Sequence, residues 1–200
     1  MFKKVALTLF LLITAAVIAI LAIAGTRPAT YHIERSAQLS ASPEVVFGLI
    51  NDFNRFPEWS PWQELDPKMT VKVDGGGVGV GASYYWTGNK DVGEGRMTIT
   101  ESTPNSLVAE KLEFLKPFAS TSEVHFRIVP QADGSNVTWA MDGTNNFMGK
   151  VMSLFMNMDS LIGKDFEKGL GKLKALAERA PAPAAAASDS TAADSSAAAK

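Results

Sequence analysis

The chain begins Met-Phe-Lys-Lys and then runs from Val5 to Ala24 without one charged residue. At about 1.5 Å per residue, a helix of about 20 residues matches a hydrocarbon core about 30 Å thick. Nothing in this run supplies the polar face that a helix on a soluble domain needs. It is therefore set apart from the rest of the fold and reads as a single-pass membrane anchor. Lys3 and Lys4 precede it and only Arg27 follows closely, which puts the N-terminus in the cytoplasm. Residues from 31 onward are then expected outside the membrane, in a periplasmic or extracellular space. The competing reading is a cleaved signal peptide, because Ala22-Ile23-Ala24 fits a small-x-small cleavage site. Against cleavage, the run exceeds the roughly 7–15 residues usual for a signal core.

The other end is also outside the core. Residues 180–200 read APAPAAAASDSTAADSSAAAK, with no large apolar residue, so a disordered tail is expected there. Residues 1–30 are assigned to the anchor and a short linker. Residues 31–179 remain as one domain of about 150 residues, enough to bury a sizeable core.

Composition excludes several chemistries. The formal net charge is −2, from 19 basic and 21 acidic residues. No basic block exists beyond Lys3-Lys4, so nucleic acid is a poor partner. There is no cysteine and there are only two histidines, His32 and His125. Disulfides and thiolate catalysis are ruled out, and a transition-metal site lacks ligands. No metal or cofactor is expected. Neither a Gly-x-Ser-x-Gly elbow nor a His-Glu-x-x-His motif occurs. The glycine-rich run at 75–81 is followed by the strand-like Ala82-Ser83-Tyr84-Tyr85-Trp86, whereas a phosphate loop must open a helix. It reads as a flexible hairpin, expected over the mouth of a cavity.

Within the domain, residues 31–40 read as a strand. Ser42-Pro43-Glu44 then starts a helix: Ser42 caps, Pro43 fits the first turn and Glu44 suits the positive dipole end. Residues 51–56 suggest a second short helix, stopped by Pro57. The pattern then changes to period two, with strands at 69–73, 82–86, 95–100, 107–115 and 122–129 and a last one carrying Val137, Trp139 and Met141. Asp133-Gly134 marks a hairpin turn. That makes six sequential strands, an antiparallel meander. Finally Val151, Phe155, Met158, Ile162, Phe166, Leu170, Leu173 and Ala177 recur every three or four residues. This predicts one helix of about seven turns. Gly163, Gly169 and Gly171 cost about 0.8–1 kcal/mol each inside a helix. They are understandable if it crosses closely over a sheet.

Certain strings, in this order, carry a family resemblance. They are Ala41-Ser42-Pro43-Glu44-Val45-Val46-Phe47, Asn54-Arg55-Phe56-Pro57-Glu58-Trp59-Ser60-Pro61-Trp62, Trp86-Thr87-Gly88 with Gly93-Glu94-Gly95, and Val137-Thr138-Trp139. Residues 31–179 resemble the START-like helix-grip superfamily, in particular its polyketide cyclase/dehydrase and lipid-transport branch (SRPBCC). The resemblance implies an α+β helix-grip fold: a curved antiparallel sheet of about seven strands around a long C-terminal helix, with an apolar cavity between them. It implies binding of lipids, sterols, hormones or polyketides, with only some members being enzymes. It carries over no catalytic residue.

Glu110 is in phase with Val108, Leu112 and Phe114, so it is expected on the apolar face of its strand. A carboxylate there is costly unless it is paired or its pKa rises. Such an acid can orient a ligand or move a proton. A bulge would instead turn Glu110 into water. The four tryptophans suit either core packing or a cavity wall. Met148, Met152, Met156 and Met158, with Phe147, Leu154 and Phe155, suit a gate, a membrane-facing lid or ordinary core. The expected cavity lining is Trp59, Trp62, Trp86, Glu110, Phe114, Phe126, Trp139, Met152 and Phe155, around a void of at least about 300 Å³. Three functions compete. One is a membrane-tethered binding module for an apolar small molecule or lipid. Another is a cyclase- or hydrolase-like enzyme using Glu110. The last is an interaction domain with a filled core.

Overall fold

The structure, a computed structural model, describes residues 2–179. The tail expected at 180–200 lies outside the described residues. Helix α1, Phe2–Thr26, is long and apolar enough to cross a membrane. Ala24 is its only buried residue. After three intervening residues β1 begins, Thr30–Leu39. Ser42 then caps α2, Pro43–Ile50, by accepting a hydrogen bond from the Val45 backbone N–H.

The next short helix is displaced from its expected place. Instead of ending at Pro57, α3 spans Phe56–Trp59 with Pro57 in its first turn. Proline lacks the N–H that would be unsatisfied there in any case, so it starts this helix rather than stopping one.

Six strands follow: β2 (Thr70–Asp74), β3 (Ser83–Thr87), β4 (Glu94–Thr103), β5 (Leu107–Lys116), β6 (Ser120–Gln131) and β7 (Gly134–Thr144). With β1 they form one antiparallel seven-stranded sheet in the order β1-β7-β6-β5-β4-β3-β2. The meander runs from β2 to β7, and β1 closes against β7 along its whole length, from Thr30↔Thr144 to Leu39↔Ser135. Alternation fixes one face as the core. Met97 and Ile99, Val124, Phe126 and Ile128, and Val137, Trp139 and Met141 are all buried, as period two requires.

The predicted seven-turn helix is two helices. α4 spans Phe147–Met152 and α5 spans Met158–Ala177. The apolar stripe runs on through the break, which hides it. The break is made by Asn157, whose side chain accepts from the Ser160 N–H and caps α5, as Asn146 caps α4 through Gly149. α5 lies across the concave face of the sheet and buries Phe166, Leu170, Leu173 and Ala177. Two of its glycines are explained by this close approach. A Cβ at Gly163 would strike the Arg35 guanidinium, and one at Gly169 would lie 2.6 Å from the Trp139 ring. Gly171 faces open space.

The glycine-rich loop does not cover a cavity mouth. Gly77 accepts from the Phe53 N–H and Gly79 donates to the Asn51 carbonyl. The loop is thus fastened to the segment after α2, and Gly75, Gly76, Gly77, Gly79 and Gly81 all have positive φ. Glycine is the residue that takes up such a backbone without a Cβ penalty.

Candidate functional site

An apolar cavity of about 200 Å³ lies between the concave face of the sheet and α5. Phe56, Ser60 and Trp62 close it on the α3 side, and Ile162, Asp165 and Phe166 form its roof on α5. The strands supply the floor: Tyr84 and Trp86 from β3, Met97 from β4, Glu110, Leu112 and Phe114 from β5, Val124 and Phe126 from β6, Trp139 and Met141 from β7. The two solvent-exposed lining residues, Asp91 in the β3–β4 turn and Phe114 near the end of β5, mark where the cavity reaches the surface, with buried Val92 beneath them. The void falls short of the roughly 300 Å³ expected for a drug-sized ligand. It exceeds the roughly 150 Å³ that suffices for benzene in an apolar protein cavity.

Glu110 is inside. It pairs with Ile99 on β4 and Val124 on β6 and is 5% exposed. The sheet does contain a bulge here, but on the neighbouring strand: the β4–β5 register shifts between Ile99 and Glu101. β5 itself carries no bulge and keeps an unbroken register with β6, and Val108, Glu110 and Leu112 are all buried, so the carboxyl stays on the apolar face and the bulge reading is overturned. Burial, with no cation or hydrogen bond among the described residues to offset it, pushes the Glu110 pKa up to about 8. The group is mostly protonated at neutral pH and can donate a hydrogen bond.

Two further polar atoms belong to lining residues. Among the described residues the Tyr84 hydroxyl and the Trp139 indole N–H are buried without a hydrogen-bond partner. Burial raises the Tyr84 pKa to about 12, so it remains a phenol. Unpaired buried donors are uncommon, and each is costly unless something else satisfies it. By contrast Trp86 donates to the Val92 carbonyl at 3.0 Å.

Of the residues expected around the cavity, Trp62, Trp86, Glu110, Phe114, Phe126 and Trp139 line it. Trp59 does not. It lies behind the wall, fully buried, donating to the Leu49 carbonyl at 3.3 Å and packing edge-on against Phe126 and Trp139. Met152 and Phe155 are also elsewhere: they belong to α4 and the turn after it and are 44% and 68% exposed. Their assignment to the cavity rested on one continuous helix, which the Asn157 cap interrupts. Tyr84 was missed although it is two residues from Trp86 and so on the same face. Phe56 was missed with the misplaced helix around Pro57.

The wall is an aromatic cluster centred on Trp139. Its ring stacks on Phe166 at 4.2 Å, with Phe126 at 4.9 Å and Trp62 edge-on at 5.8 Å. These contacts hold α3, α5 and the sheet together around the void.

The fold recurs in solved structures. A protein from Chromobacterium violaceum, CV1439, is 18% identical and superposes with a TM-score of 0.54 over 76% of this chain and 100% of its own. A protein from Mesorhizobium loti, MLL2253, is 16% identical, with a TM-score of 0.55 over 76% of this chain and 99% of its own. The di-domain ARO/CYC StfQ from the steffimycin biosynthetic pathway is 11% identical, with a TM-score of 0.54 over 75% of this chain and 51% of its own. At these identities the likeness shows the helix-grip fold alone. No curated protein matches by sequence. Residues 30–178, from the first residue of β1 to the residue after α5, match the family described as polyketide cyclase / dehydrase and lipid transport. The chain belongs to that family.

Proposed function

We propose that this chain is a membrane-tethered binding protein for a small apolar molecule that carries a hydrogen-bonding oxygen. One observation carries the reading: an apolar cavity whose lining includes a buried, unpaired and mostly protonated Glu110, together with the unpartnered Tyr84 hydroxyl and Trp139 N–H. Protonated Glu110 is a donor, so the complementary ligand offers an acceptor. A volume of about 200 Å³ suits one ring or a short chain, or the reactive end of a longer molecule whose remainder leaves past Phe114. A whole membrane lipid is too large for it. α1 would hold the domain at the outer membrane face, with the N-terminus cytoplasmic because of Lys3 and Lys4.

Native mass spectrometry of the full chain purified from its own cells tests this. A stoichiometric adduct that is reduced in a Trp139→Ala or Glu110→Leu variant supports it. A bare chain that also takes up no single-ring aromatic ketone refutes it.

A second reading is favoured by the same carboxyl. A carboxyl whose pKa lies near 8 can give and take a proton at neutral pH. Such a group would support a dehydration or cyclisation. The filled-core reading is disfavoured by the void itself.

A further inference from the structure

The register of the sheet gathers the domain's exposed phenylalanines at one end. Thr30 pairs with Thr144, Gly143 with Ser122, and Ser120 with Phe114. The start of β1, the end of β7 and the β5–β6 turn therefore share an edge of the domain. That edge carries Phe114, Leu115 and Phe118, which are 36%, 52% and 75% exposed. α4 leaves β7 at the same end, with Phe147 and Met148 exposed at 52% and 59%, and Phe155 follows in the turn before α5. At the opposite end, where Leu39 meets Ser135, the β4–β5 and β6–β7 turns are polar and the β2–β3 loop exposes Val78 and Val80 but no aromatic residue.

The anchor emerges at the apolar end. Only Arg27, Pro28 and Ala29 separate α1 from β1, so the chain between Thr26 and Thr30 spans at most about 15 Å, four Cα steps. It is also pinned: the Asn145 N–H, at the start of α4, donates to the Ala29 carbonyl at 2.7 Å. α1 packs against α4, and Ala24, in its last turn, is fully buried. A helix that spans the bilayer and ends on α4 leaves α4 no room to stand away from the lipid.

We infer that the anchor end of the domain docks on the lipid surface, with Phe118, Phe147 and Phe155 sunk into the interface of the membrane that α1 crosses. Exposed aromatic and methionine side chains on a soluble face are costly in water and favourable at the headgroup boundary. The cavity opens on that same side, since Asp91 and Val92 precede Glu94, which pairs with Lys116 next to Phe118. An apolar ligand would then pass between bilayer and cavity without crossing bulk water. This inference rests on the reading of α1 as a membrane span.

The chain contains no cysteine, so single nitroxide labels can be placed on the full-length protein in phosphatidylcholine vesicles. The variants are Phe118→Cys, Phe155→Cys, Asp133→Cys at the far end and Leu12→Cys within α1. All four sites are solvent-exposed, so labelling removes no core contact. Collision with oxygen, which concentrates in lipid, is compared with collision with a water-soluble nickel chelate. The inference expects labels at 118 and 155 to shift toward oxygen, as the label at 12 does, while 133 stays with nickel. A lipid-like label at 12 with water-like labels at 118 and 155 overturns the docking and leaves the anchor intact. A water-like label at 12 overturns the anchor and the docking together.

Discussion

Trp139 on β7 and Phe166 on α5 lie face to face, with ring centroids 4.2 Å apart and planes 8° apart. The same contact fastens the helix to the sheet and forms part of the cavity wall. Stability and site shape are therefore coupled at this pair. Phe166→Ala should cost about 3–5 kcal/mol, and Phe166→Leu clearly less, because it refills most of the volume. Denaturant unfolding of the full chain measures both. Equal, negligible losses would mean that α5 is held by other contacts.

The glycines of α5 give a paired test. A methyl at Gly169 would meet the buried Trp139 ring at 2.6 Å, whereas one at Gly171 meets nothing within 4 Å. Gly169→Ala should destabilise by about 1–3 kcal/mol through overpacking. Gly171→Ala should stabilise by up to about 1 kcal/mol through helix propensity. Melting temperatures moving in opposite directions are the expected result.

Much of this architecture was legible in the residues, and the failures have physical causes. Period two is a local property, so the strands and the inward phase of Glu110 could be read directly. The bulge that threatened that phase fell on β4, at Thr100, where nothing in β5 reports it. The break between α4 and α5 was hidden because apolar residues keep helical spacing on both sides of it. The local signal was Asn157 followed by Asp159, a cap and a first-turn acid. Pro57 was ambiguous between stopping and starting a helix. That the Tyr84 hydroxyl and the Trp139 N–H lack partners could not be read at all, because it depends on every surrounding element. The cavity volume is likewise a difference between large packed volumes.

Glu110 should make stability depend on pH. Its unfolded value is near 4.5 and its folded value about 8. Below about pH 4.5 both states are protonated and burial is least costly. Between the two values only the unfolded chain ionises, so stability falls by up to about 1.4 kcal/mol per pH unit. Above pH 8 the loss levels off. Glu110→Gln removes this dependence and should be more stable than the natural chain at pH 8, with little advantage at pH 4. Urea midpoints across this range measure it, and parallel curves for the two proteins would remove Glu110 from the buried titrating groups.

The same substitution separates binding from catalysis. Glutamine keeps the shape of glutamate and can still donate a hydrogen bond to a ligand oxygen, but it cannot transfer a proton. If the cavity only binds, Glu110→Gln should change affinity by less than about tenfold, roughly 1.4 kcal/mol. The natural protein, unlike the variant, should bind more weakly above pH 8, where its carboxyl loses the donated proton. If the cavity catalyses a proton transfer, the variant should still bind while turnover falls by about a hundredfold or more. Tyr84→Phe sharpens the distinction, because it deletes one donor while keeping the ring that packs on Phe53 and Phe56. Affinity changes below about tenfold in both variants, with both still folded, would assign the cavity to binding through a shared acceptor. Turnover lost in Glu110→Gln alone would assign the carboxyl to the chemistry.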